Sequence, residues 1–159
     1  MINLGTHNDD CFGNVSLCTN GATLSFWIKA PQPSYVWPKL LGAPWFELWF
    51  HLKNNEFLLN AAIQNGTHKH EFIYFAKITY DQWHNIGMTF SPGSRPEIYF
   101  DGCKTQAVEN RILAGVPVQS TIEMGCFSGA NCAEITYDDL RFWTATKSPQ
   151  FMWWLCNQL

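Results

Sequence analysis

The sequence predicts an all-β fold, a sandwich of two antiparallel sheets built as a single domain. Three observations carry this. Between Trp83 and Gly102 two alternating runs flank a turn and end on a hairpin signal, and similar short runs recur through most of the 159 residues, separated by Gly, Pro and Asn. A lone hairpin is marginal in water, so the apolar faces of these runs need a second layer to cover them.

In the Trp83 stretch, Ile86, Met88 and Phe90 alternate with Asn85, Gly87 and Thr89, the period of a strand with one apolar face. Ser91 to Pro96 places two prolines, a glycine and two serines in succession, which ends the ladder and turns the chain. Glu97 to Asp101 resumes as a strand with Ile98 and Phe100 on one face, and Asp101-Gly102 is a type I′ turn signal.

Taken from the start, Met1 to Asn20 is a polar, turn-rich arm in which Cys11 and Cys18 stand close enough to pair. Thr23 to Ala30 reads as a central strand, with Leu24, Phe26 and Ile28 opposite Ser25, Trp27 and Lys29. Pro31 to Ser34 is a break, and Pro38 makes Tyr35 to Leu41 an edge strand or a loop. Trp45 to Leu52 puts Phe46, Leu48 and Phe50 on a core face and Trp45, Glu47, Trp49 and His51 on the other. Lys53 to Asn55 and Asn65-Gly66 are turns bracketing Glu56 to Gln64, and Glu71 to Ile78 is a further strand. Glu109 to Val118 shows little alternation and reads as a long loop with one short strand. Ser120 to Phe127 and Tyr137 to Thr144 return as strands, and Ser148-Pro149 opens a short apolar helical turn over Phe151 to Leu155.

Twelve Phe, eight Trp and five Tyr exceed what a core of this size holds, so some rings belong to a groove, a partner surface or a junction with a neighbouring domain. A net charge of −3 with scattered basic residues gives neither a nucleic-acid footprint nor a polybasic membrane anchor, and no run is long enough to span a bilayer. Six cysteines, with the acceptor tripeptides at Asn14 and Asn65, indicate an oxidising, extracellular or cell-surface setting reached through the secretory pathway. The segment reads as one domain, residues 1–159, of a larger extracellular protein. Of the fifteen complete pairings, the preferred set joins Cys11 to Cys18, Cys126 to Cys132 and Cys103 to Cys156.

The order of motifs is more specific than any one of them. Ser25-Phe26-Trp27-Ile28, Trp83-His84, Tyr99-Phe100-Asp101-Gly102 and Asp138-Asp139-Leu140-Arg141-Phe142 together resemble the laminin-G and pentraxin-like branch of the concanavalin A-like superfamily. The resemblance, which spans about Leu4 to Leu155, implies a jelly-roll sandwich that acts as an extracellular recognition or adhesion module. An immunoglobulin-like sandwich fits less well, because its central Cys to Trp to Cys pattern is missing. The resemblance also implies that some members use calcium, with Asp138 and Asp139 as candidate oxygen ligands, joined by Asp9 and Asp10. Calcium needs six to eight such oxygens, and a turn bond or an ion pair to Arg141 is the plainer role for the pair.

The functional expectation is a non-enzymatic module of a receptor-like protein that binds a protein partner. The alternatives are a lectin-like domain and a spacer packed on neighbouring domains, for which Trp153 and Trp154 supply the surface, whereas self-association would favour an interaction surface over a spacer. The candidate ligand strip is Trp45, Trp49 and His51, with Tyr35 and Trp37 at its rim. No catalytic residue is assigned. Glu134 to Asp139 is acidic but lacks the alternating spacing that holds two carboxylates across a glycosidic bond. His7, His51, His68, His70 and His84 contain no HExxH arrangement, and no nucleophile elbow or phosphate loop is present.

Overall fold

The computed structural model of the chain describes residues 2–7, 9–14, 17–32, 39–42, 46–53, 56–65, 68–92, 94–105, 108–114, 121–125 and 135–157. Its strands are β1 (Ile2–Thr6), β2 (Ala22–Lys29), β3 (Lys39–Gly42), β4 (Phe46–Lys53), β5 (Glu56–Asn65) and β6 (His68–Lys77) in the first half. They continue with β7 (Trp83–Phe90), β8 (Glu97–Phe100), β9 (Cys103–Lys104), β10 (Val108–Ala114), β11 (Thr121–Met124) and β12 (Thr136–Trp143), followed by helix α1 (Pro149–Cys156). A seven-stranded sheet runs β1-β11-β3-β4-β5-β6-β10 and a five-stranded sheet runs β12-β2-β7-β8-β9, each paired antiparallel throughout.

The predicted alternation places the core between the sheets. Leu24, Phe26 and Ile28 of β2 and Ile86 and Met88 of β7 meet Phe46, Leu48 and Phe50 of β4 and Leu59 and Ala61 of β5 in one cluster, with Phe100 packed at its margin. Tyr137 bridges the sheets, its hydroxyl donating to the Leu40 carbonyl at 2.6 Å. Strand β2 is central as expected, between β12 and β7.

Several expectations are corrected. The arm before Asn20 contains a strand, β1, which sits at a sheet edge with mostly exposed side chains and so carries no apolar period. The stretch read as an edge strand or loop yields β3, which is interior, bonded to both β11 and β4. Its Leu40 and Leu41 are both buried, so no alternation marks it. Strand β6 begins at His68 rather than Glu71, and the stretch from Glu109, read as a long loop with one short strand, holds the seven-residue edge strand β10, whose register shifts between Glu109 and Arg111.

The five-stranded sheet is also covered on its outward face, which explains why nearly all of β2 is buried. Thr23 Oγ1 donates to the Ala145 carbonyl at 2.9 Å and accepts from the Lys147 N–H at 2.9 Å, which straps the C-terminal segment across the sheet. Helix α1 follows, with Ser148 as N-cap accepting from the Phe151 N–H at 3.2 Å and proline at the first turn. It buries Met152 and Leu155 against Tyr99. Two glycines make room for it: a Cβ on Gly87 would fall 2.1 Å from Met152 Cε, and one on Gly102 would fall 2.7 Å from Cys156 Cβ. Because the helix has no acidic residue in its first turn to support it, Ser148→Ala is expected to lower stability by about 1 kcal/mol, read as a small fall in thermal midpoint.

The Trp-His and Asp-Gly motifs prove to be one structural device. Asp101 and Gly102 have φ of 49° and 74°, the type I′ geometry foreseen from the dipeptide. From that turn the Asp101 carboxylate accepts the Asn85 N–H at Oδ1, 2.9 Å, and the His84 Nδ1–H at Oδ2, 2.9 Å. His84 Nε2 reaches the backbone of Thr79, 3.1 Å from both its N–H and its carbonyl, and the ring stacks on Phe100. Beside it Asn85 Nδ2 donates to Ser25 Oγ at 3.1 Å, while its Oδ1 is buried without a partner.

Burial disfavours the charged His84 ring, but the hydrogen bond and charge of Asp101 and the Thr79 backbone outweigh it and hold the imidazole above its ordinary 6.5. A proton held more tightly in the folded chain stabilises the fold below the unfolded value and ceases to do so as pH climbs through the raised folded value. The thermal midpoint is therefore expected to decline from about pH 6 to about pH 8 in the parent chain. His84→Gln should show a shallower decline over that window, and parallel profiles would refute the assignment.

Candidate functional site

The predicted ligand strip lies on the face of the seven-stranded sheet turned away from the core. Strand β4 buries Phe46, Leu48 and Phe50, so Glu47, Trp49 and His51 point outward, each partly exposed. Cross-strand register then fixes their neighbours, since residues directly opposite share a face. One row runs Asn3, Glu123, Gly42, Glu47, Ala62, Glu71 and Arg111 across all seven strands. The next places Trp49 between Lys39 and Asn60, and a third runs His51, Leu58 and Lys77.

The small residues decide the relief of this face. Ala62 and Asn60 of β5 are 1% exposed, whereas Glu47 and Trp49 directly opposite them stand partly in solvent. With Gly42 on the other side of Glu47, these positions form a floor screened from solvent, and the groups that reach solvent above it are a carboxylate, an indole and an imidazole. An indole flanked by a carboxylate and an imidazole, each partly in solvent, suits a ligand that combines apolar C–H patches with hydroxyls.

Sequence reasoning found Trp49 and His51 here and passed over the floor. Its signal was the run Asn60-Ala61-Ala62, small residues at consecutive positions of a strand, which acquires meaning only when register sets it beside Trp49. Of the other ligand candidates, Tyr35, Trp37 and Trp45 lie outside the described residues.

The acidic candidates are engaged with local protein donors. Asp138 Oδ1 accepts the Asp139 N–H at 2.8 Å, and Asp139 Oδ1 takes Arg141 Nε at 2.6 Å, where β12 shifts register and Asp139 adopts a φ of 51°. Asp10 accepts the Gly13 N–H at 2.9 Å and pairs with His7 Nδ1 at 2.8 Å. The hydrogen bond from His7 holds the Asp10 carboxyl below its ordinary range, and Asp10 in turn raises His7. Asp9 is exposed. Among the described residues no three His, Cys, Asp or Glu side chains gather as a metal site.

Cys11 and Cys18 form a disulfide that closes the N-terminal arm, which Phe12 anchors on Phe142 of β12 at 4.7 Å between ring centroids. Cys103 and Cys156 are free thiols in this structure, and Cys126 and Cys132 lie outside the described residues. Asn14 is exposed within the disulfide loop, and Asn65 ends β5 at the turn into β6.

With the architecture in place, comparison with known proteins decides the family. A laminin-G family profile described as concanavalin A-like lectin/glucanases superfamily matches residues 4–150. The chain belongs to that superfamily. No curated protein matches this lectin/glucanase-type domain. Among solved structures, domain 4 of the extracellular GH43 arabinanase AbnA from Geobacillus stearothermophilus, in complex with arabinotriose, is 17% identical with a TM-score of 0.60, covering 87% of this chain and 67% of that one. The native heptameric SAP-like pentraxin of Limulus polyphemus is 13% identical with a TM-score of 0.59, covering 87% and 70%. The receptor binding domain of a botulinum neurotoxin C/D mosaic serotype is 14% identical with a TM-score of 0.65, covering 95% of this chain but 39% of that one.

These likenesses bear out the two-sheet antiparallel fold and the laminin-G and pentraxin kinship expected of the sequence. The disulfide between Cys11 and Cys18 suits an extracellular type of domain. Among the described residues no helix is long and apolar enough to cross a membrane.

Proposed function

We propose that the domain is a carbohydrate-recognition module of a secreted or cell-surface protein, with the Trp49 face of the seven-stranded sheet as its binding surface. The observation that carries this reading is the partly exposed Trp49 standing directly opposite the buried, small-side-chain position Asn60. A partly exposed indole stacks on a sugar ring, with Glu47 and His51 on the same face beside it. The arabinotriose held by a structure of the same fold makes short neutral glycans the first probes.

The test is a glycan array, followed by calorimetric titration of the best glycan and of arabinotriose. Saturable binding, weakened at least thirtyfold by Trp49→Ala in a folded protein, is expected. A chain that binds no glycan at millimolar concentration refutes the reading. Calcium has no part in it, and a thermal midpoint raised by millimolar calcium would overturn that aspect.

A protein partner is the second reading, favoured by one observation. Trp153 and Trp154 of α1 are 57% and 48% exposed, a pair of large rings outside the sheet face that would hold a glycan. A neighbouring domain or a second copy would cover the same rings. Loss of partner binding on Trp153→Ala with glycan binding intact would assign the two surfaces separately.

A further inference from the structure

We propose that Cys103 and Cys156 join in a disulfide under oxidising conditions, and that this bond clamps helix α1, with its exposed tryptophans, to the end of the five-stranded sheet. The inference is independent of the glycan reading. It rests on where α1 ends. Cys156 is the last helical residue, and its Cβ lies 2.7 Å from the position a Cβ on Gly102 would take, with Trp153 Cα 3.1 Å from the same point. Cys103 is the next residue after Gly102 and opens β9. The left-handed φ of Gly102 and the tight seat beneath it both require glycine, so turn and helix end are fitted to each other at the site where the two thiols stand.

The two thiols differ in a way that orders the chemistry. Cys103 is exposed and Cys156 is half-buried. Burial, with the negative charges of Asp101 and Cys103 beside it, raises the Cys156 thiol, so it holds its proton until a partner sulfur arrives. With oxidised glutathione as oxidant, the Cys103 thiolate attacks one sulfur of the glutathione disulfide, forming a mixed disulfide and releasing one glutathione thiolate. Cys156 then gives up its proton and attacks the Cys103 sulfur, releasing the second glutathione. Two protein thiols are oxidised to one disulfide, and one glutathione disulfide is reduced to two thiols.

The bond would close a long stretch of chain and hold α1 where few other contacts reach. The helix packs Met152 and Leu155 against Tyr99 and Phe151 against Trp143, and the bond would add a covalent tie at its last residue, beside the exposed Trp153 and Trp154.

The test uses the full chain, reduced and then exchanged against oxidised glutathione. Non-reducing peptide mapping should find a linked pair containing Cys103 and Cys156, with Cys11 linked to Cys18. The thermal midpoint should rise by roughly 5 °C or more on oxidation, and hydrogen exchange across 149–156 should slow. Cys103→Ser and Cys156→Ser should each abolish both changes while leaving the Cys11 link intact. Cys103 found joined to glutathione, to Cys126 or Cys132 or to a second chain, or a linked pair without slower exchange in α1, would overturn the proposal.

Discussion

Asp101→Ala is expected to destabilise the domain by about 3 kcal/mol, a fall in thermal midpoint of roughly 6–12 °C for a chain of this length. Two costs combine. The Asn85 N–H loses its acceptor in a residue only 1% exposed, and a buried unpaired donor costs about 1–3 kcal/mol. Alanine must also hold the left-handed φ of 49° without the local polar contacts that ease it for aspartate, which costs about 1–2 kcal/mol. The ion pair with His84 adds little to this sum, because the Asp101 side chain is 40% exposed and its charge is screened. Two further variants separate the causes. Asp101→Gly restores the backbone freedom but not the acceptor, and should recover about 1 kcal/mol. Asp101→Asn keeps an acceptor and a residue suited to the turn, and should cost least of the three. Equal losses in all three would show that the carboxylate charge, rather than the turn and the acceptor, holds the hairpin.

Trp49→Ala is expected to weaken binding of the glycan selected by the array at least thirtyfold, about 2 kcal/mol, with little change in thermal midpoint. The asymmetry follows from position. Trp49 is partly exposed on the outward face of β4, so its truncation opens no cavity in the core formed by Phe46, Leu48 and Phe50 on the opposite face. Asn60→Leu supplies the complementary test. It puts a larger side chain into the covered position opposite Trp49, and should also weaken binding if the placement of the indole, and not its presence alone, selects the ligand. Binding unchanged in Trp49→Ala would move the ligand to another surface, with the exposed helix α1 as the next to be tested.

The reading of the chain succeeded and failed along one physical line. Where a strand has one buried and one open face, alternation shows it, as at Thr23 to Ala30, Trp45 to Leu52 and Trp83 to Phe90. Strands β1 and β10 lie at sheet edges, and β1 leaves most of its side chains in solvent, so neither showed the period of a half-buried strand. Strand β3 failed for the opposite reason, since Leu40 and Leu41 are both buried. Half of the candidate site was legible in the same way: the outward position of Trp49 and His51 followed from Phe46, Leu48 and Phe50, while the floor at Asn60 and Ala62 did not.

Local chemistry was therefore settled by the residues alone. The I′ turn needs only Asp101-Gly102, the helix start only Ser148-Pro149, and the N-terminal disulfide only two cysteines seven residues apart. What folding had to decide were relations between distant segments: Asp101 reaching His84, Gly87 and Gly102 seating α1, and Trp49 facing Asn60. A side chain's type fixes what it can do, but only the pairing of strands fixes what it stands beside, and both the hairpin lock and the face proposed for binding arise from such pairings.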